Sequence, residues 1–457
     1  MAGCDDHHRT TRQTLFAPRR VVERVPVPEE LLAGGADAFF AGPRRRRDFL
    51  QQGVGALLAL TAATRLKPWE LLEASVAEAA ASPQTVLVTV YLGGGNDGLN
   101  TLVPLTGQDR TIYAASRPRL QIAPGTTLPL PGHPELGWHS QLSGLRTLFD
   151  EGKVGAYVGV DYPNPDYSHF QSVYYWRTGQ LATGATTGWL GNWLDAYGSG
   201  TNPLQGVAVQ WGADDLLRTR RAPTAAVYSP SDFSFWSDGI WDQDRLVDAY
   251  GRTAGPARSP ARRRAMDVAR QTVYVNHALK PLAGQDPPPT PVAYPDSGTG
   301  QALRNLARML GAGLGIRIAT VQADGAFDSH ENQLGTHGRD LRDVGDALLA
   351  FQRDLEARGL AGRVLTLVWS EFGRRVEDNA SNGTDHGAGS LVLAVGQTAR
   401  STVSNGWHLA DAGRYDGNVP VAVDFRDVYA GVIDGHLGGD VQRCLPRYRG
   451  TPIRVVA

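Results

Sequence analysis

The stretch Thr85-Val86-Leu87-Val88-Thr89-Val90-Tyr91-Leu92, running directly into Gly93-Gly94-Gly95-Asn96-Asp97-Gly98-Leu99-Asn100, decides the fold. Its first half is β-branched and apolar without a helical period. Such a run reads as a strand buried on both faces, the kind found inside a parallel sheet. Its second half is a glycine-rich turn at the strand's carboxyl end, where ligands collect in open parallel sheets.

Working outward, similar short runs recur at Val154 to Val160, Gly206 to Trp211, Ile316 to Val321, Val364 to Trp369 and Leu391 to Val395. Helical patterns lie between several of them. Leu303, Leu306, Leu310 and Leu314 share one face, and Leu341, Val344, Leu348 and Phe351 share another. Alternating strands and helices predict an α/β fold, a three-layer α/β/α sandwich around a mostly parallel central sheet. Two features interrupt this pattern. A very basic run spans Arg258 to Arg270, and Asp286-Pro287-Pro288-Pro289-Thr290-Pro291 can be neither helix nor central strand. Residues 212–300 therefore read as an insertion or cap that ends in a stiff loop.

The composition narrows the function. With 42% hydrophobic and 20% charged residues the chain is an ordinary globular protein, and 457 residues suffice for one large domain or two smaller ones. A formal charge of −1 gives no electrostatic footprint for nucleic acid. The cysteines are Cys4 and Cys444, so an internal disulfide is not expected once the N-terminal segment is removed. That segment, residues 1–81, reads as a leader. Arg44-Arg45-Arg46-Arg47-Asp48-Phe49-Leu50 carries the Arg-Arg-x-Phe-Leu pattern of a twin-arginine signal, an apolar run from Val54 to Ala63 follows, and small-residue cleavage options lie around Ala77 to Ala81. The apolar run is too short for a hydrocarbon core of about 30 Å. The expectation is export by the twin-arginine translocase to the periplasm or cell exterior, with no stable membrane span in the mature domain, residues 82–457. The arginines lie unusually far from Met1, so either the leader is long or translation starts downstream.

The loops after the strands hold the candidate chemistry. Gly93 to Gly98 formally contains GxGxxG, but Pro104 interrupts any following helix and no second strand with a terminal acid follows, so a dinucleotide site is not expected. Asp97 instead reads as a carboxylate ligand for a cation, or as a turn cap. After the second strand, Ser168 stands where a helix would begin, in Asn164-Pro165-Asp166-Tyr167-Ser168-His169-Phe170-Gln171-Ser172. A serine there is a good N-cap, and the same position suits a nucleophile facing an anionic group. His169 could orient or protonate, or merely hydrogen-bond a loop. Later loops bring Asp328-Ser329-His330, then Ser370-Glu371-Phe372-Gly373-Arg374, then Thr384-Asp385-His386-Gly387. Arg374 is either a clamp for an anion oxygen or a surface ion-pair partner. Carboxylates and imidazoles without thiolates suit a divalent metal and exclude an iron–sulfur or cysteine-rich zinc site.

The combination RRDFL, LVTVYLGGGNDGLNTLVP, DYSHFQS, DSHENQ, WSEFGRR and TDHG resembles the DUF1501 family along essentially the whole mature chain. The family in turn looks like a branch of the alkaline phosphatase and sulfatase superfamily. The resemblance implies an alkaline phosphatase-like sandwich with Asp97 as a first-strand metal ligand and Ser168 as nucleophile. By tripeptide, Asp385-His386-Gly387 matches the superfamily's paired Asp-His-Gly. By position along the fold, Glu371-Phe372 takes that place, and His386 becomes the later histidine; the positional match is favoured. Phe372 then stands where the superfamily has a histidine, and Asp328-Ser329-His330 is tighter than its Asp-x-x-x-His, so one ion is as consistent as two.

These readings converge on an exported hydrolase of phosphate or sulfate esters with a serine nucleophile. One or two divalent ions (Zn, Mn, Mg or Ca) would be held by residues among Asp97, Asp328, His330, Glu371, Asp385 and His386, with Ser168, His169 and Arg374 at the reacting group. The alternative is a non-catalytic exported binding protein on the same fold with a degenerate metal site.

Overall fold

The computed structural model describes residues 84–209, 212–231, 233, 259–283 and 292–457. The leader expected over residues 1–81, with its arginines, lies outside the described residues. The chain divides into two compact units, residues 1–66 with 234–273 and residues 67–233 with 274–457. Of the first unit, the described residues carry the start of a helix, Pro260–Leu279, where the basic run was expected. The candidate chemistry lies entirely in the second.

In chain order the second unit contains β1 (Val86–Tyr91), α1 (Gly98–Thr101), α2 (Gly107–Ser116), α3 (Ser143–Asp150), β2 (Val154–Asp161), α4 (His169–Thr178), α5 (Trp189–Tyr197), β3 (Gly206–Val209) and β4 (Ala225–Val227). It continues with α6 (Gly298–Gly311), β5 (Ile318–Gln322), α7 (Gln333–Ala357), β6 (Val364–Trp369), β7 (Ser390–Val395), β8 (Thr402–Ser404), β9 (Val423–Asp424) and α8 (Phe425–Val432). The strands form one sheet in the order β8-β2-β7-β6-β1-β5-β3-β4, with β9 also pairing with β2. Within the stretch expected as an insertion, Ala225–Val227 extends this sheet as an edge strand parallel to β3.

Side chains alternate across β1 as a pleated strand requires. Val86, Val88 and Val90 join a core with Leu145 and Leu148 of α3, Leu303 and Leu306 of α6, and Leu341 and Leu348 of α7. Leu87 and Tyr91 join the opposite core with Trp176 of α4, Trp189 and Trp193 of α5, and Phe425 and Val428 of α8. The architecture is therefore α/β/α, and a sheet covered on both faces explains why its strands read as continuous apolar runs. Full burial of each such aliphatic side chain is worth about 1.5–3 kcal/mol, so the two cores carry most of the fold's stability. The buried thiol of Cys444 belongs to the second core, where burial pushes its pKa up to about 12.

β1 pairs in parallel with both β5 and β6, whereas β7 runs antiparallel between β6 and β2. The reason lies in the connection. A parallel neighbour needs a crossover, usually a helix, but the chain leaves β6 and returns as β7 through a small hairpin, Gly373–Arg374 paired with His386–Gly387. Strand directions then bring the loops after β1, β2, β5 and β6, together with the hairpin before β7, to one edge of the sheet. Among the described residues no helix is long and apolar enough to cross a membrane.

Candidate metal centre

At that edge three imidazoles converge on Asp328. The Nε2 atoms of His330 and His386 lie 3.1 Å from Asp328 Oδ1, and that of His169 lies 3.5 Å from Oδ2. The two nitrogens of His330 and His386 are 2.9 Å apart. Ligand atoms of His169, Asp328 and His386 all fall within 4.8 Å of one another, close enough for a single ion. The Asp328 side chain is 37% exposed, which leaves the cluster open to a ligand from solvent.

Each ring is anchored through its other nitrogen. His169 Nδ1 donates to Glu371 Oε1 (2.9 Å), His330 Nδ1 to Asp385 Oδ1 (3.2 Å) and His386 Nδ1 to the carbonyl of Tyr167 (2.9 Å). Carboxylates and carbonyls only accept, so the proton of each neutral ring sits on Nδ1. The three Nε2 atoms then face a carboxylate and one another, an arrangement satisfied by a cation among them or, without one, by Nε2 protons donated to Asp328. This is the tautomer and outer support found for metal-ligating histidines. The donor set fits a divalent ion of zinc type.

The same electrostatics act on the groups themselves. Burial alone would lower the His169 imidazole, but its hydrogen bonds to Asp328 and Glu371 and their charges outweigh that and lift it to about 9. His330 also rises, first through its hydrogen bond to Asp328. For Asp328 burial works upward, yet the hydrogen bonds from the three histidines and the charge of Arg374 hold it well below the usual carboxylate range.

The backbone explains how these loops come together. Gly94 and Gly95 adopt φ values of +120° and +86°, and a Cβ on Gly94 would meet the Asp328 amide nitrogen at 2.3 Å. The glycines thus let the first loop press against the Asp328 loop. Their amides donate not to a ligand but to the Glu371 carboxylate, Gly94 to both oxygens at 3.0 Å and Gly95 to Oε2 at 3.1 Å. Tyr167 has φ +61°, a region bulky residues rarely enter, and its carbonyl is the one that His386 needs. Phe372, fully buried, packs its ring against His169 and His386 at centroid separations of 4.9 and 4.5 Å.

The residues singled out in the sequence are thus sorted. His169, Asp328 and His386 share one point, and His330 Nε2 lies against Asp328 and His386, with Glu371 behind His169 and Asp385 behind His330. Asp97 is committed elsewhere. It caps α1 through the Asn100 amide and forms a fully buried ion pair with Arg117, and Gln333 also donates to it. Burial works against its ionised form, but the Arg117 charge and hydrogen bond keep its pKa below the ordinary value. Arg374 is neither on the surface nor open to a ligand. It donates to the carbonyls of Gly94, Gly95, Phe327 and Thr384 and to Asp328 Oδ1. Ser168 occupies the N-cap position of α4 but makes no cap bond with its side chain. Arg117, the Tyr167 carbonyl and Asn379, which donates to Asp385, carried no motif in the sequence; the Tyr167 carbonyl meets its partner His386 from far along the chain.

Residues 146–457 match the family model described as protein of unknown function, DUF1501. This chain belongs to the DUF1501 family. No curated protein matches it. Solved structures similar to this DUF1501 chain include the lipoteichoic acid synthase LtaP from Listeria monocytogenes, at 8% identity and a TM-score of 0.29 over 69% of this chain and 66% of that one. They also include the sulfatase PsFucS1 from Pseudoalteromonas sp., at 11% identity and a TM-score of 0.30 over 75% and 69%. The chain thus spans just under two thirds of the synthase.

Proposed function

We propose that this DUF1501 protein is an exported, metal-dependent hydrolase of phosphate or sulfate esters that uses Ser168 as nucleophile. The convergence of His169, His330 and His386 Nε2 on Asp328, each ring anchored through Nδ1, carries the reading. These four side chains would hold the ion. Their nitrogen-rich set suits Zn²⁺ or Mn²⁺ better than Mg²⁺ or Ca²⁺, which prefer oxygen. When bound, such an ion supplies charge neutralisation and polarisation of the ester.

The chain's own residues supply the rest. Ser168 directly precedes His169 at the start of α4, so its hydroxyl is tethered to the cluster by one peptide unit. The first turn of α4 leaves amide N–H groups without helical partners, and its positive end favours an anionic ester. With its hydroxyl unused as a cap, Ser168 is available to attack phosphorus or sulfur. Asp385, exposed behind His330, accepts from its Nδ1 and orients that ring toward the ion.

Metal analysis of the purified protein, combined with phosphomonoester, phosphodiester and sulfate ester substrates, tests this. The expected result is stoichiometric metal and turnover of one ester class, lost on chelation and restored by the ion. Stoichiometric metal without turnover would favour the binding-protein alternative, which the locking of Asp97 by Arg117 and the phenyl ring of Phe372 in the site also support. Export rests on Arg46-Arg47-x-Phe49-Leu50. Lysine at both Arg46 and Arg47 should leave the precursor in the cytoplasm, and normal export of that variant removes the assignment.

A further inference from the structure

Glu371 is 1% exposed, and its ion-pair partner is His169. An ionised carboxylate buried this far costs several kcal/mol unless its oxygens are fully hydrogen-bonded. Here they are. The Gly94 amide is shared between Oε1 and Oε2, the Gly95 amide donates to Oε2 and His169 Nδ1 to Oε1, while the Ser370 hydroxyl hydrogen goes to the Leu92 carbonyl at 2.6 Å. Successive amides from a glycine turn form the concave cradle that anions occupy, and here the anion is a side chain of the same protein. Three N–H donors, from Gly94, Gly95 and His169, therefore engage both oxygens and turn the carboxylate into the glycine cradle and toward the His169 ring rather than toward an ion.

We propose that Glu371 is a positioning residue. Clamped by the Gly94 and Gly95 amides, it grips His169 Nδ1, aims His169 Nε2 at Asp328, and so makes that imidazole the fourth donor of a single-ion centre with Asp328, His330 and His386. The assignment rests on the metal reading above and goes further in two respects. It names Glu371 as the group that orients His169 toward the ion, and it removes both Glu371 and Asp97 from the ligand set. Asp97 drops out for a parallel reason, since Arg117, Gln333 and the Asn100 amide occupy its carboxylate. Phe372 closes the other side of the His169 ring and holds the orientation that Glu371 sets.

The test is titration of the full chain with Co²⁺, followed by its visible absorption, and competition with Zn²⁺. Wild type should bind one ion. Glu371→Gln should bind about 10- to 100-fold more weakly, the usual loss for an outer-shell partner, with an unchanged absorption band at saturation. His169→Asn keeps an amide N–H for Glu371 but lacks the Nε2 donor, so it should both weaken binding and shift the band. The double variant should bind as His169→Asn does, because a residue acting through the ring has nothing to contribute once the ring is gone.

A shifted band in Glu371→Gln, or full additivity in the double variant, makes Glu371 a direct ligand and overturns the assignment. Two ions in wild type, or a wild-type band in His169→Asn, overturn it also. The last arm does not depend on Glu371→Gln folding. Unaltered affinity in Glu371→Gln overturns positioning alone, whereas wild type that binds neither Co²⁺ nor Zn²⁺ overturns the metal reading itself.

Discussion

Ser168→Ala is expected to keep its metal and a near-wild-type melting temperature while losing ester hydrolysis by orders of magnitude. A serine used as a helix cap costs about 1 kcal/mol when it becomes alanine. Ser168 makes no such bond, so the expected stability loss is smaller still. A nucleophile behaves differently, because removing its oxygen abolishes the covalent step and leaves fold and binding in place. Ser168→Gly serves as control, being conformationally compatible with a cap and equally inert. The decisive measurement is single-turnover hydrolysis of whichever ester class wild type accepts, alongside a thermal melt. Should both variants turn over at the wild-type rate, water is the nucleophile and Ser168 merely begins a helix.

Arg374→Met is expected to cost several kcal/mol of folding stability, because carbonyl acceptors left without donors in a buried position cost about 1–3 kcal/mol each. The guanidinium side chain is fully buried and ties the β1 loop, the Asp328 loop and the hairpin together through four carbonyls and a carboxylate. Methionine fills similar volume but leaves those acceptors without donors. Lysine should rescue little, since a single ammonium cannot reproduce the planar fork. Urea denaturation of wild type and both variants measures this directly. Unchanged stability with a large fall in turnover would instead return Arg374 to the role of substrate clamp.

Much of the fold was legible in short-range pattern. β-branched apolar runs marked β1, β2, β5, β6 and β7 to within two residues at either end, because strands buried on both faces tolerate little else. The leucine spacing marked α6 and α7 for the same reason. Strand–helix alternation then implied that several loops share one sheet edge, and this placed Asp328, His330, Glu371 and His386 in one neighbourhood before any geometry was known. The antiparallel insertion of β7 was less visible, since direction depends on how the connection travels and not on the strand's own residues.

The roles inside that neighbourhood were not legible, and the reason is physical. Whether a carboxylate is a ligand, a support or a cap depends on which donors reach it, and those donors come from far along the chain. Asp97 reads as a ligand until Arg117 and Gln333 are seen to occupy it, and Arg374 reads as a clamp until four carbonyls claim its donors. The glycine-rich turn read as a loop offering Asp97 to a cation, whereas its amides hold the Glu371 carboxylate. His169 read as a group that could orient or protonate, or merely hydrogen-bond a loop, and its ring points between Glu371 and Asp328. By itself, then, the sequence determined the sandwich, the site-bearing edge and the DUF1501 motifs, because local hydrophobic period and chain order suffice for those. Only the tertiary structure decided the assignment of each polar side chain, because hydrogen-bond capacity is finite and is filled by whichever distant group arrives at the right distance and angle.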